Sequence, residues 1–129
     1  MLDKKIVFVV DDDIAVLRSL ERLLNASGFY AEVFESAEAF SESAVPDHGL
    51  CVVLDVNLKA TCGIEFRRQL AASGSTLPVI FVTANDSELV RRTAIDAGCV
   101  AYLRKPFPAK SLFDAIHLAA ERPEQQLAR

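Results

Sequence analysis

Residues 6–13 read IVFVVDDD, an apolar run of five residues that is followed directly by three carboxylates. A short, continuous apolar run of this kind is typical of a β-strand that is covered on both faces of a parallel sheet. Four further runs of similar length are rich in β-branched or aromatic residues. The five predicted strands are residues 6–10, 30–34, 51–54, 79–82 and 100–103. The second and fifth are the least apolar, which favours a place at the edges of the sheet.

Longer segments with helical spacing of apolar residues separate these strands. The five predicted helices cover residues 16–24, 37–44, 64–70, 87–97 and 108–121. Gly28 can end the first helix because glycine readily adopts the left-handed backbone conformation, and Ser36 is a plausible N-cap for the second helix. Pro108 can occupy the first turn of the last helix, where its missing N–H costs nothing. The alternation predicts an α/β fold, a parallel sheet with helices on both faces.

One domain accounts for the chain, because 129 residues suffice for a single ordinary core. Residues 1–121 are predicted to form it, and residues 122–129 to form a polar tail or the start of a linker. Asp and Glu outnumber Lys and Arg by 18 to 14, which disfavours broad attraction to nucleic acid. The three cysteines lack metal or disulfide spacing, and the first apolar run is too short to span a membrane. These features favour a soluble, cytoplasmic protein without a membrane segment.

Polar side chains stand at the ends of four predicted strands. They are Asp11, Asp12 and Asp13 after the first strand, Asp55 after the third, Thr83 after the fourth and Lys105 after the fifth. The carboxyl ends of parallel strands form the functional crevice of such a sheet. Clustered carboxylates are costly without a cation, and oxygen ligands suit Mg²⁺. With the metal bound, Asp55 can act as a nucleophile toward a phosphoryl group, while Thr83 and Lys105 take up charge on its oxygens.

Each of these residues also has a simpler structural interpretation. Asp13 is best explained as the N-cap of the first helix, and Asp11 and Asp12 can merely decorate a helix start, where negative charge is favoured. Thr83 can simply terminate a strand, and Lys105 can be solvated. The recurrence of polar residues at the ends of four predicted strands favours a common site over these separate explanations.

Four ordered segments carry a resemblance to a known family. They are VVDDD at 9–13, VVLD at 52–55, IFVTAN at 80–85 and AYLRKPF at 101–107. Over residues 4–121 the chain resembles the receiver domain of two-component response regulators, and its first two helices are similar to receivers of FixJ-type transcriptional regulators. The resemblance implies a flavodoxin-like sheet in the strand order 2-1-3-4-5. It also implies a phosphorelay switch, not an enzyme built for turnover, that is served by a histidine kinase or a phosphotransfer protein.

The resemblance assigns roles to individual residues. The implied ligands of Mg²⁺, or of Mn²⁺, are Asp11, Asp12, Asp55 and the backbone carbonyl of Asn57, and Asp55 is the implied phosphorylation site. The implied phosphoryl-binding residues are Thr83 and Lys105, the implied switch residues are Thr83 and Tyr102, and the peptide bond before Pro106 is expected to be cis. Tyr102 has ordinary strand packing as its alternative. A homodimer through the fourth helix, the fifth strand and the fifth helix is also implied.

One position departs from the family pattern. Lys59, in NLKATCG, stands where a proline is usual, and it adds a positive charge near the entrance of the predicted site. This difference leaves open a pseudo-receiver, an interaction module without phosphotransfer. A second alternative is a Mg²⁺-dependent phosphohydrolase with an Asp nucleophile, but that class normally has a DxD motif after the first strand and a cap domain. The chain is too short for such a cap.

Overall fold

The sheet contains five parallel strands in the order β2-β1-β3-β4-β5. A computed structural model describes residues 5–121 of the chain. The strands are β1 (Ile6–Val10), β2 (Tyr30–Phe34), β3 (Gly49–Asp55), β4 (Val79–Thr83) and β5 (Ala101–Arg104). The helices are α1 (Ile14–Ala26), α2 (Ala37–Ser43), α3 (Gly63–Ala72), α4 (Glu88–Ala97) and α5 (Ala109–Ala120). The predicted fold class, strand order and number of helices are confirmed.

Side chains of the central strands alternate between two hydrophobic cores, one on each face of the sheet. Val7 and Val9 of β1 pack with residues of α1 and α5, whereas Phe8 and Val10 pack with residues of α2, α3 and α4. This alternation follows from the two-residue period of a strand. The structure therefore has three layers, and the more exposed strands β2 and β5 lie at the sheet edges, as predicted.

Phe40 anchors α2 to the sheet through a cluster of aromatic rings. Its ring lies edge-on to those of Phe8, Phe34 and Phe66, with centroid distances of 5.2, 5.4 and 5.7 Å. Edge-to-face packing of this kind adds to the free energy gained by burial of the rings. The cluster fixes the start of α2, and with it the loop after β2, at the carboxyl edge of the sheet.

The main differences from the predicted elements lie at their ends. The strand β3 begins at Gly49, two residues before its predicted start, and a side chain there would collide with the ring of Phe8. The prediction for Pro108 was wrong by one position: this residue is the N-cap of α5, with a ψ of 150°, and the helix begins at Ala109. A short 3₁₀ helix at Pro46–His48 was not predicted. Residues 122–129, the predicted tail, lie outside the described residues.

Within residues 5–121, none of the helices combines the length and the apolar composition that a membrane span needs.

Replacement of Phe40 by alanine tests the aromatic anchor. We expect Phe40→Ala to lower the free energy of unfolding by about 3–5 kcal/mol, because the substitution leaves a cavity among three rings. Urea unfolding monitored by circular dichroism measures this change. Leu118→Ala, at a position that is 53% exposed, is the control and should cost less than about 0.5 kcal/mol. Equal losses in the two variants would contradict the proposed anchor.

Candidate functional site

The acidic side chains predicted from the strand ends converge at the carboxyl edge of the sheet. Asp11 follows β1, Asp12 comes next, and Asp55 ends β3; Asp11 and Asp55 are 1% and 5% exposed. One carboxylate oxygen of each residue lies within 4.8 Å of those of the other two. We call these three residues the acidic cluster. Such close carboxylates repel one another unless a positive charge compensates them.

Lys105, which follows the edge strand β5, supplies one such charge. Its Nζ atom donates to Oδ2 of Asp11 at 2.7 Å and to Oδ2 of Asp55 at 3.2 Å. The side chain reaches inward from the segment after β5, whose backbone is tied to β4 by a hydrogen bond from Lys105 N to the carbonyl of Thr83. The peptide bond between Lys105 and Pro106 is cis. The structure therefore brings Lys105 into contact with Asp55 and Asp11, which lie 50 and 94 positions before it in the sequence.

Asp13 stands apart from the acidic cluster. Its Oδ1 atom accepts hydrogen bonds from the backbone N–H groups of Ala15 and Val16, at 3.0 and 3.4 Å, which makes it the N-cap of α1. Its own N–H donates to Oδ1 of Asp11 at 2.9 Å. Asp13 thus has the capping role predicted for it, and it also orients Asp11.

The loop after β3 is held against the acidic cluster by close backbone packing. The N–H of Asn57 donates to Oδ1 of Asp55 at 2.9 Å, and the N–H of Gly63 donates to the carbonyl of Val56 at 2.8 Å. A Cβ atom on Gly63 would collide with the backbone carbonyl oxygen of Asp55. Only glycine allows this approach, and the sequence analysis assigned Gly63 no such role.

Thr83, the last residue of β4, is fully buried beside this loop. Its Oγ1 atom accepts hydrogen bonds from Nδ2 of Asn57 at 3.2 Å and from the N–H of Asn85 at 3.0 Å. The first of these bonds ties the end of β4 to the loop that follows Asp55. This bond could not be predicted from the sequence, because the two residues are 26 positions apart and no periodic pattern relates them.

Tyr102 of β5 is held by two residues that the sequence interpretation had left without a role at the site. Its hydroxyl donates to Oδ1 of Asp86 at 3.0 Å, and the guanidinium of Arg91 lies 5.3 Å from its ring centroid. Arg91 also pairs with Oδ2 of Asp86 at 3.2 Å. These three residues, which we call the Tyr102 network, connect β5 with α4 and with the loop before it. A carboxylate three residues after the end of the buried β4 was the available sequence signal.

Burial and charge act against each other at the site. Burial raises the pKa of Asp55, as does the charge on Asp11, while the N–H of Asn57 and the ammonium of Lys105 oppose the rise without cancelling it. Burial alone would lower the pKa of Lys105, but its contacts with Asp11 and Asp55 outweigh that effect, so this pKa lies above its ordinary value. One ammonium thus faces three carboxylates, which leaves an excess of negative charge.

Within the Tyr102 network, the pKa of Tyr102 is raised and that of Asp86 is lowered. Burial raises the pKa of Tyr102, and the hydrogen bond to Asp86 raises it further. The hydrogen bond from Tyr102 and the contacts with Arg91 hold the pKa of Asp86 below its ordinary range. The phenol is therefore a neutral donor to an ionised carboxylate at neutral pH. Away from the site, burial raises the pKa of the Cys51 thiol to about 12, which suits a small core residue.

The donor set of the acidic cluster fits a hard divalent cation. Carboxylate oxygens within reach of one another, next to an open cavity that admits water, are the ligands that Mg²⁺ and Mn²⁺ prefer. Asp11, Asp12 and Asp55 are the side chains that would hold the ion. The excess negative charge left after pairing with Lys105 favours the same assignment.

The fold and this site define a doubly wound α/β protein with an acidic crevice at the carboxyl ends of its strands. The family model of the response regulator receiver domain matches residues 7–117. The chain therefore belongs to the receiver domain family of two-component response regulators, and the resemblance noted in the sequence is confirmed.

Individual relatives agree with this assignment. Nodulation protein W of Bradyrhizobium diazoefficiens is 37% identical over 123 residues, which are 95% of this chain and 54% of that protein. The structure of the response regulator StyR is 39% identical with a TM-score of 0.86, and the match covers 98% of this chain and 65% of that one. The structure of FixJ-N is 31% identical with a TM-score of 0.84, and the match covers 95% and 98% of the two chains. The chain spans about half the length of the curated relatives it matches.

Neutralisation of Asp55 should stabilise the metal-free protein. Because the folded state raises the pKa of Asp55, ionisation of this group destabilises the fold as the pH rises from the ordinary aspartate value through the raised one. We expect Asp55→Asn to increase the free energy of unfolding at pH 8 in the presence of a chelator, because the variant has no charge to bury. The gain should disappear in acid, where the carboxyl group of the wild type is protonated.

Urea unfolding of the two proteins across this pH range measures the effect. Asp47→Asn, at an exposed position near the opposite edge of the sheet, is the control and should show no such pH-dependent gain. A metal-free Asp55→Asn variant less stable than the wild type at pH 8 would show that the Asp55 carboxylate is a net stabilising group.

Proposed function

We propose that the chain is a phosphoacceptor switch in which Asp55 accepts a phosphoryl group in a Mg²⁺-dependent reaction. The observation that carries the proposal is the contact of one ammonium, Lys105, with both Asp11 and Asp55 beside an acidic cluster that has room for a cation. Membership of the receiver family supports the same role. The resulting conformational change would regulate a partner or an output domain, and a cytoplasmic location is part of the proposal.

The chemistry follows from the groups around Asp55. A carboxylate oxygen of Asp55 attacks the phosphorus atom, and the bond between phosphorus and the donor breaks, with the electron pair leaving on the donor. Mg²⁺, held by Asp11, Asp12, Asp55 and the carbonyl of Asn57, would neutralise charge on the phosphoryl oxygens. The ammonium of Lys105, which already contacts Asp55, and the hydroxyl of Thr83, which is hydrogen-bonded to the side chain of Asn57, would donate to the same oxygens.

A protein donor has a surface on which to dock next to Lys105. An apolar groove of about 520 Å³ runs between α1 and the segment after β5. Its walls include Ala15, Val16, Leu20, Pro106 and Phe107. Small and apolar residues of this kind suit an amphipathic helix, such as one that presents the phosphohistidine of a histidine kinase or a phosphotransfer protein. The groove brings that donor to the side of the site where Lys105 lies.

The switch would act through the contacts of Thr83. When its hydroxyl turns toward the phosphoryl group, it must give up the hydrogen bond to the N–H of Asn85. The next residue is Asp86, which holds Tyr102 and Arg91. A shift of this loop would therefore loosen the Tyr102 network and change the surface formed by α4, β5 and α5. Such a local change in packing and charge, with two alternative arrangements, is how receiver-type switches can transmit a signal.

Phosphorylation is tested by intact mass after incubation with acetyl phosphate. With Mg²⁺ present, we expect the wild type to gain one phosphoryl group, and Asp55→Asn or a chelated sample to gain none, because the nucleophile or the cation is missing. Asp47→Asn, which keeps the site intact, should be modified like the wild type.

The outcomes also separate the alternatives. Modification of Asp55→Asn to the same extent as the wild type would contradict the assigned phosphorylation site. A wild-type chain that gains no phosphoryl group would favour the interaction module without phosphotransfer, and sustained hydrolysis of a small phosphate ester would favour the phosphohydrolase.

Dimer formation tests the proposed output surface. We expect phosphorylated wild-type protein to shift toward a dimer in light scattering coupled to gel filtration. Ile95→Glu, which places a charge at an apolar position of α4 that is 56% exposed, should prevent the shift and leave phosphorylation intact. Val45→Glu, at a position 51% exposed before the 3₁₀ helix, is the matched control and should dimerise. A monomeric phosphorylated wild type, or a dimeric Ile95→Glu variant, would contradict this surface.

A further inference from the structure

A cavity of about 260 Å³ opens beside the acidic cluster. Three loops at the carboxyl edge of the sheet form its walls. Asp12 comes from the loop after β1, Glu35 and Glu38 come from the loop after β2 and the first turn of α2, and Lys59 comes from the loop after β3. Asp12 also belongs to the acidic cluster, so the cavity is continuous with the proposed cation site.

Lys59 is the one lysine that lines this cavity, and it is exposed. Within residues 5–121, it takes part in no ion pair or hydrogen bond through its side chain. Lys105, by contrast, is engaged with Asp11 and Asp55. The charge of Lys59 is therefore available to any ion that enters the cavity, whereas the charge of Lys105 is already shared between two carboxylates.

The charge of Lys59 has opposite effects on the binding of a cation and on the binding of a phosphodonor. A positive side chain across a water-filled cavity repels a divalent cation bound at Asp12, and it attracts the negative charge of an incoming phosphodonor. The carboxylates of Glu35 and Glu38 act in the reverse sense. Because Lys59 is exposed, solvent and salt screen its effect, which limits it to a few-fold at low ionic strength.

We infer that Lys59 is a specificity-determining residue of the phosphoryl-accepting site, where its ammonium weakens binding of the divalent cation and favours the more highly charged of two phosphodonors. The inference rests on the proposed function, and it extends that function to the class of donor. Lys59 makes no hydrogen bond or ion pair with the acidic cluster, so it acts through its charge and not as a catalytic residue.

Calorimetric titration with Mg²⁺ tests the first half of the inference on the unphosphorylated protein. We expect Lys59→Ala to tighten Mg²⁺ binding about two- to fivefold at low ionic strength, and Lys59→Glu to tighten it further. Lys59→Arg, which keeps the charge, should bind like the wild type. Lys5→Ala removes the same charge at the exposed residue before β1, at the opposite edge of the sheet, and should also bind like the wild type. Added salt should reduce all of the differences.

Donor preference tests the second half at saturating Mg²⁺. Acetyl phosphate carries more net negative charge at neutral pH than phosphoramidate, so the ratio of their phosphorylation rates reports the field at the site. We expect this ratio to fall about two- to fivefold in Lys59→Ala and further in Lys59→Glu, with no change in Lys59→Arg or Lys5→Ala. Simple damage to the loop would weaken Mg²⁺ binding, so tighter Mg²⁺ binding combined with a lower donor ratio cannot arise from it.

The inference is overturned by a Lys59→Ala variant with unchanged Mg²⁺ affinity and an unchanged donor ratio, or with both reduced. A wild type that binds no Mg²⁺ would overturn it as well. If the wild type binds Mg²⁺ but takes a phosphoryl group from neither donor, the proposed function fails, while the calorimetric comparison still decides whether Lys59 weakens cation binding.

Discussion

The burial of like charges at one edge of the sheet is the constraint that governs the candidate site. Asp11 and Asp55 are almost completely buried, and both direct an oxygen atom toward the single ammonium of Lys105. Two desolvated carboxylates with a third close by are tolerated only if positive charge balances them, and one lysine does not complete that balance. The site therefore has uncompensated negative charge, which a divalent cation can neutralise. Burial is the main reason why the pKa of Asp55 is raised, and the charge on Asp11 raises it further.

The loops around this edge are connected by hydrogen bonds that involve side chains and backbone N–H groups. Asn57 binds Asp55 through its backbone and Thr83 through its side chain. Thr83 also binds the N–H of Asn85, next to Asp86, which holds Tyr102. Four hydrogen bonds, together with the peptide link from Asn85 to Asp86, therefore connect the acidic cluster with β5 and with the loop before α4.

The sequence predicted the fold well because each strand is marked by its own apolar run, as in IVFVVDDD. The fold then brought the strand-end residues Asp11, Asp55 and Lys105 together, because parallel strands end at one edge. The contacts that could not be predicted are those between loops, such as Asn57 with Thr83 and Asp86 with Tyr102, since they depend on loop conformation and leave no periodic pattern. Pro108 was misplaced by one residue because a proline marks the start of a helix only to within one or two positions.

Paramagnetic broadening by Mn²⁺ tests the central claim, that the acidic cluster is a divalent-cation site, most directly. In the nitrogen–proton spectrum of the labelled protein, substoichiometric Mn²⁺ should first remove the amide signals of Asp11, Asp12 and the residues from Asp55 to Asn57, because broadening falls steeply with distance from the ion. Excess Mg²⁺ should restore them by competition. Earliest broadening elsewhere, for example near Glu38 alone, or signals unaffected by Mn²⁺, would contradict the account.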